Sequence, residues 1–329
     1  LSSKVRDKAW NADTTSVTTW QKTAVRRRQA VYEELIGRIR SPKLPVNPRS
    51  RLLLSTDHYT GYEVVLDVFP DVIAAGILLL PDDLKPGEKR PVVVCQHGLE
   101  GTAMDTISRE PRPYAAYKAF SDELCRRGFI VFAPQNPYRG KDRFRSIQRK
   151  TNPLKRSLYS YIIPQHEQIV GWLASLPQVD PKRIAFYGLS YGGKTAMRVP
   201  PFVEQYCLSI CSGDFTDWVT TIAGNKDRYN YIFTGEYEIF EWNMGHVANY
   251  SDLGKLMTPR PFMVEQGYLD GGAPPTWVAA EFARVQQHYD QLELADRIEL
   301  EFFDGPHTIN GQGTFRFLHR HLHWPEPGR

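Results

Sequence analysis

The stretch Asp180-Pro-Lys-Arg-Ile-Ala-Phe-Tyr-Gly-Leu-Ser-Tyr-Gly-Gly193 decides how the rest of the chain is read. Arg183 to Tyr187 reads as a buried strand, and Gly192 to Val199 as a short helix stopped by Pro200 and Pro201. Between them lies Gly188-Leu189-Ser190-Tyr191-Gly192, a G-x-S-x-G pattern. A serine exposed at a sharp strand-to-helix turn has strained dihedrals, and only small neighbours let the chain pass closely on either side. Five residues of this kind also arise by chance. The strand before and the helix after are what a solvated Gly-rich loop would not need.

The same alternation extends outward. Upstream, Glu63–Phe69 and Val72–Leu80 read as an antiparallel pair, and Pro91–Gln96 as a central strand apolar on both faces. Tyr114–Arg127 reads as one helix stopped by Gly128, Phe129–Ala133 as a strand, and Ser157–Leu176 as a long helix. Downstream, Tyr206–Cys211, Arg260–Gln266 and Ile298–Phe303 read as strands, the last at a sheet edge. Thr276–Leu292 and Gln312–His323 read as helices. Strands alternating with helices of these lengths predict right-handed crossovers and a mostly parallel central sheet flanked by helices, the α/β class. Residues 1–60 read as an N-terminal helical extension broken by the proline-rich Ser41–Pro48, and 61–329 as the main domain.

Composition narrows the classes. The 329 residues are 41% hydrophobic and 24% charged, ordinary for a folded chain. A formal charge of +4 without a clustered stripe argues against nucleic acid. The longest apolar run, Val72–Leu80, is far short of the ~18 residues a membrane span needs. Cys95, Cys125, Cys207 and Cys211 form no CxxC pair and read as buried thiols. The chain begins at Leu1 rather than Met, which leaves open a removed leader or a longer product, and the compartment and oligomeric state are not legible.

Four segments together resemble the α/β-hydrolase superfamily, in its dienelactone-hydrolase and acetyl-xylan-esterase-like branch. They are the D-P-x-R-I strand entry at Asp180–Ile184, the G-L-S-Y-G-G turn, Gln96-His97-Gly98, and Asp304-Gly-Pro-His307. The likeness covers about Gly61 to Trp324. Dienelactone hydrolase proper has a cysteine where this chain has Ser190, so its substrate does not carry over. The resemblance implies an α/β-hydrolase fold and a serine nucleophile, and it needs no metal or cofactor.

A serine hydroxyl needs a base, and in such folds the chain order is Ser, then Asp or Glu, then His. His307 follows the last strand and is the expected base. His288 lies in a helix, and His319, His321 and His323 crowd the C-terminal one. His319 and His323 have metal-ligand spacing but no acidic partner between them, and a solvated face is the expected reading. Asp270, in Gly267-Tyr-Leu-Asp-Gly-Gly-Ala-Pro274, is the expected orienting acid, with Glu265 and Asp214 as rivals. The main-chain N–H groups of Leu99 and Tyr191 are the expected oxyanion donors. His97 reads as support for that loop.

Residues 214–258 read as a cap-like insertion, rich in aromatics: Trp218, Tyr229, Tyr231, Phe233, Tyr237, Phe240 and Trp242. Trp218, Tyr237 and Trp242 are candidates to stack on a sugar or enclose an acyl group, or else simply to pack the insertion down. Lys194 opposes the helix dipole in the first turn after Ser190 and is a candidate substrate contact. Glucuronoyl esterases have a lysine in this relation to their nucleophile. They also have Arg directly after the serine, where this chain has Tyr191. The run Arg139–Arg156, with eight Lys or Arg and one Asp, reads as a solvated connector. The expected function is carboxylic-ester hydrolysis through an acyl-enzyme, on acylated carbohydrates or other small esters. The alternatives are a prolyl-oligopeptidase-type peptidase, a uronate-ester hydrolase, and a non-catalytic binding module.

Overall fold

The computed structural model describes residues 2–11, 13–234, 241 and 243–327. Nine strands form one sheet: β1 (Arg49–Ser55), β2 (Tyr59–Phe69), β3 (Val72–Pro81), β4 (Arg90–Gln96), β5 (Ile130–Gln135), β6 (Val179–Leu189), β7 (Leu208–Ser212), β8 (Phe262–Gly267) and β9 (Ile298–Phe303). Their spatial order is β1-β2-β3-β5-β4-β6-β7-β8-β9. The first three and β5 are joined antiparallel, and all pairs from β5–β4 through β8–β9 are parallel. This is the α/β-hydrolase architecture expected from the sequence.

The helices are α1 (Ser2–Ala9), α2 (Val17–Val31), α3 (Pro111–Tyr117), α4 (Phe120–Arg126), α5 (Asp142–Thr151), α6 (Tyr159–Ser175), α7 (Tyr191–Arg198), α8 (Trp218–Ala223), α9 (Tyr250–Lys255), α10 (Pro275–Gln291) and α11 (Gln312–His321). Side chains alternate across a strand, so β4 serves two cores at once. Val92 and Val94 belong to one core, together with Ile162, Ala196 and Val285, while Val93 and Cys95 belong to the other, together with Phe120, Leu124 and Phe317. Both faces are covered by helices, which is why β4 is buried along its whole length. All four cysteines are free thiols, three of them buried and Cys207 half-buried.

Three elements depart from the sequence reading. The sheet begins earlier, because Arg49–Ser55 pairs with β2 as an edge strand within the stretch read as helical extension. Its residues are mostly exposed, so it lacks the apolar alternation that would have announced it. The helix read over Tyr114–Arg127 is two helices, parted at Lys118 (φ 51°) and Ala119 (φ 50°). The break has a cause in the tertiary structure. The Ala116 carbonyl accepts from the Ile309 N–H (2.9 Å) and the Thr308 hydroxyl (2.8 Å), and so serves a distant loop instead of the helix. The basic run contains helix α5, which turns Phe144, Gln148 and Thr151 inward on a one-turn spacing that the surrounding charges obscure.

The N-terminal helices are joined to the body. Trp20 is fully buried against His288, with ring centroids 4.3 Å apart. The Trp10 indole N–H donates to the Val247 carbonyl at 2.7 Å, and the Ser157 and Ser160 hydroxyls both donate to the Ile36 carbonyl.

Candidate active site

The parallel strands end in line. Gln96 of β4 pairs with Gly188 of β6, Leu189 with Ser212 of β7, Ser212 with Glu265 of β8, and Gly267 with Phe303 of β9. Each strand therefore delivers its following loop to the same carboxyl-end edge, where open α/β sheets bind ligands. The residues so delivered are His97 to Leu99, Ser190, Gly213 and Asp214, Asp270, and His307.

Ser190 stands between β6 and α7 at φ 62°, ψ −122°, a strained conformation for a residue with a side chain. The flanking glycines are needed for close approach. A Cβ on Gly188 would lie 2.3 Å from the Gly192 carbonyl oxygen, and one on Gly192 would lie 2.3 Å from that of Gln96. The Ser190 N–H is held by the Ser212 carbonyl at 2.9 Å. Strand, turn and helix follow in the order read from the sequence, with the strand reaching back to Val179 and on to Leu189.

A cavity of about 300 Å³ opens over this turn, lined by Leu99, Ser190, Tyr191, Gly213, Asp214, Tyr231, Asp270, Gly271, Gly272 and His307. Ser190, Asp270 and His307, far apart in sequence, thus face one space. His307 Nδ1 lies 2.7 Å from Asp270 Oδ2, and Asp270 also accepts the Gly272 N–H at 2.7 Å. The Asp270 side chain is buried and that of His307 is 39% exposed, so the ring keeps a face toward the cavity. Burial disfavours charge on the imidazole. The hydrogen bond and charge of Asp270, with Asp214 beyond it, outweigh that and raise the pKa above its ordinary value.

Leu99 and Tyr191 line the same cavity from two separate segments of the chain. Tyr191 opens α7, where main-chain N–H groups point out of the helix. Buried His97 fixes the other segment. Its Nε2 accepts the Asn136 N–H at 3.1 Å, which leaves Nδ1 to carry the proton toward the Gly98 carbonyl at 2.8 Å. Burial lowers its pKa to about 4, so this ring stays neutral and acts as a structural post.

The rival acids lie close by. Glu265 is engaged elsewhere: its oxygens accept from Tyr187, Ser212, Thr314 and two main-chain N–H groups. Asp214 lines the cavity, and its Oδ2 accepts the Tyr250 hydroxyl at 2.5 Å. Burial pushes the Asp214 carboxyl up to about 6, against the pull of Arg198 and Lys194.

The candidate substrate residues fare differently. Lys194 is buried, its Nζ 4.3 Å from the Trp218 ring centroid, and it is not among the cavity-lining residues. Trp218 also sits behind the cavity, stacked on Tyr250 at 5.2 Å with its indole N–H donating to Glu241 at 3.3 Å. Tyr237, Phe240 and Trp242 lie outside the described residues. Tyr231, from the same aromatic run, lines the cavity. No residue of α5 does so.

Beneath Trp218 lies an ion pair that sequence reasoning missed. Arg198 and Glu241 are both fully buried and hydrogen-bonded, and Arg198 Nη1 also donates to the Tyr250 hydroxyl at 2.8 Å. Arg198 follows Lys194 by one helical turn. That spacing was the available signal, but Glu241 arrives from an insertion without periodicity. Burial opposes charge on Glu241, yet Arg198 and Lys194 hold its pKa below the ordinary value. Removing one partner leaves a buried unpaired charge, which typically costs ~3–5 kcal/mol. Arg198→Met is expected to lose that much in urea unfolding at pH 7. The loss should shrink toward pH 5, where the unpaired Glu241 takes up a proton in the folded variant. A change below ~1 kcal/mol at pH 7 would contradict this account.

Residues 122–303, more than half of the chain and including Ser190 and Asp270, match the prolyl oligopeptidase family. The chain belongs to that family. Several solved structures share its fold at low identity. A glucuronoyl esterase from Solibacter usitatus superposes with a TM-score of 0.68 at 13% identity, covering 95% of each chain. A glucuronoyl esterase of carbohydrate esterase family 15 from Caldicellulosiruptor kristjansonii gives 0.65 at 18%, covering 96% of this chain and 88% of that one. Acetyl xylan esterase 1 from a Thermoanaerobacterium species gives 0.60 at 16%, covering 98% of both. In this family member no helix among the described residues is long and apolar enough to cross a membrane. No group of three or more His, Cys, Asp or Glu suited to a metal ion occurs among them either.

Proposed function

We propose that this member of the prolyl oligopeptidase family is a serine carboxylic-ester hydrolase, with Ser190 as nucleophile, His307 as general base and Asp270 as orienting acid. The observation that carries the reading is the single small cavity on which the strained Ser190 and the Asp270-paired His307 converge. His307 takes the Ser190 proton as the hydroxyl attacks the ester carbonyl, and Asp270 steadies the imidazolium. The N–H groups of Leu99 and Tyr191 receive the developing oxyanion. The alcohol leaves with the proton from His307, and water attacks the acyl-enzyme by the same path in reverse.

Two features favour esters over peptides. The cavity, about 300 Å³, suits a small acyl group. The three solved structures described above, which share nearly the whole chain, are glucuronoyl and acetyl xylan esterases. Acylated carbohydrates are therefore the proposed substrates. Lys194, shielded by Trp218, argues against direct contact with a uronate in this conformation.

A matched panel of acetyl, feruloyl, methyl-uronate and prolyl-peptide anilide substrates tests the reading. Acetyl esters are expected to turn over fastest, with Ser190 labelled by a fluorophosphonate. Faster cleavage of the prolyl anilide would mean a peptidase, and absence of labelling a binding module.

A further inference from the structure

The triad assignment leaves one buried carboxylate at the carboxyl-end edge without a part to play. Glu265 of β8 is wholly buried. Its Oε2 accepts the Tyr187 hydroxyl at 2.9 Å and the Ser212 hydroxyl at 2.6 Å. Its Oε1 accepts the main-chain N–H groups of Asn310 (3.2 Å) and Gly311 (3.0 Å), and the Thr314 hydroxyl at 3.3 Å. Five donors on one carboxylate is more than burial alone requires, and their origins form a pattern.

Tyr187 lies three residues before Ser190 on β6. Ser212 ends β7, and its carbonyl holds the Ser190 N–H at 2.9 Å. Asn310 and Gly311 belong to the loop that carries His307, and Thr314 opens the helix behind that loop. Glu265 itself precedes Asp270 by five residues, and its own carbonyl accepts the Gly213 N–H at 3.0 Å. One side chain therefore joins the segments that carry nucleophile, base and acid. Glu301 of β9 takes a lesser share from the far side, accepting from Asn310 Nδ2 at 3.2 Å and from the Gly313 N–H.

We propose that Glu265 is a positioning residue, a brace that sets the His307 loop at its working distance from the Ser190 strand. The inference rests on the hydrolase reading above and adds to it a residue that touches neither substrate nor triad. The chemistry suits a carboxylate. It is acceptor-only when ionised, and main-chain N–H groups can only donate. Burial raises its pKa to about 7, while its hydrogen bonds to Ser212, Gly311 and Tyr187 favour the charged form. The titratable groups nearest to it are Tyr187 and Glu301, neither of which supplies a positive charge. Its hydrogen bonds offset only part of the burial, so the charged form prevails above a pH of about 7.

Glu265→Leu and Glu265→Gln test the brace. A misplacement of about 1 Å at a distance from the chemistry can cost ~10²-fold in rate. In Glu265→Leu, kcat per fluorophosphonate-titrated site is expected to fall by ~10²-fold, with KM within ~3-fold of the parent. Its acid limb in kcat/KM should move to lower pH, because a loosened His307–Asp270 pair no longer holds the imidazole pKa up. Glu265→Gln should recover most of the rate. Its carbonyl can still accept from Asn310 and Gly311, while its NH₂ meets hydroxyls of Tyr187 and Ser212 that can rotate to accept.

Hydrogen exchange at the Asn310 and Gly311 amides, faster in Glu265→Leu than in the parent, reports the brace independently of turnover. If Glu265→Leu does not fold, Tyr187→Phe removes one strut; its kcat should fall several-fold at constant KM. Unchanged kcat, acid limb and exchange in Glu265→Leu, or a parental kcat in Tyr187→Phe, would overturn the proposal. A parent protein that the fluorophosphonate does not label would instead sink the hydrolase reading, leaving the exchange result to judge the brace.

Discussion

Ser190→Ala is expected to lower kcat for a short-chain p-nitrophenyl ester by ~10³-fold or more, while the protein stays folded. The size follows from what the hydroxyl supplies. Without it no acyl-enzyme forms, and what remains is water attack assisted by binding and the N–H groups of Leu99 and Tyr191; triad knockouts in serine hydrolases retain only such residual rates. Alanine at φ 62° keeps the Cβ penalty that Ser190 already bears, so the turn itself should survive. KM is expected to change little. Steady-state kinetics beside a circular-dichroism melt make the check. A rate within tenfold of the parent would remove Ser190 from the mechanism and leave the strain at this turn without a function.

Asp270→Asn is the second large effect, and Asp214→Asn is its control. An amide at 270 can present a donor to His307 Nδ1, which stabilises the tautomer with its proton on Nε2 and blocks acceptance from Ser190. The cost expected is ~10²–10⁴-fold in kcat. Asp214 lies on the same cavity but bonds Tyr250 rather than His307. Its charge adds to that of Asp270 in raising the imidazole pKa. The base must be neutral, so kcat/KM in the parent should fall as pH drops through a value above ~6.5, the ordinary imidazole pKa. Asp214→Asn removes one of the two charges that raise it, so its acid limb should shift to lower pH with the plateau retained. The pH profiles of the three proteins decide the matter. Loss of the plateau in Asp214→Asn, with activity retained in Asp270→Asn, would exchange their roles.

These effects share an architecture that was legible unevenly. The strands of the parallel half other than β6 were read to within two residues of their ends, because buried apolar runs and clean alternation carry simple signatures. β6 starts four residues before the Arg183 read from the sequence, its exposed Pro181 and Lys182 masking the entry. β1 escaped because nearly all its residues are exposed and its three leucines run consecutively rather than alternating, and its pairing with β2 is a matter of main-chain hydrogen bonds that leave no mark on side-chain pattern. The break at Lys118 and Ala119 escaped for another reason. Local sequence favours one helix there, and a loop almost two hundred residues later takes the carbonyl that would have continued it. Helix α5 was hidden in a run of charges whose inward face amounts to Phe144, Gln148 and Thr151.

At the site, Ser190, Asp270, His307, Leu99 and Tyr191 were each singled out from motif and chain order, and folding brings all five to one cavity. Lys194 and Trp218 were singled out by type and position, yet they pack against each other behind it. Nothing in a residue's type tells which side of a wall it will face. Tyr231, Asp214 and the Arg198–Glu241 pair became visible as cavity lining and support only in three dimensions.

The order of strands and helices, the turn at Ser190 and the types of the side chains proposed to react are local properties. They depend on hydrophobic period, on glycines where two backbones touch, and on which side chains can donate or accept a proton, and all of these are written along the chain. Which carboxylate meets His307 is different. Asp214, Glu265 and Asp270 all follow or occupy parallel strands and are chemically alike. Only the register of β7, β8 and β9, which sets each oxygen against a hydroxyl, a main-chain N–H or an imidazole, gives them three separate tasks.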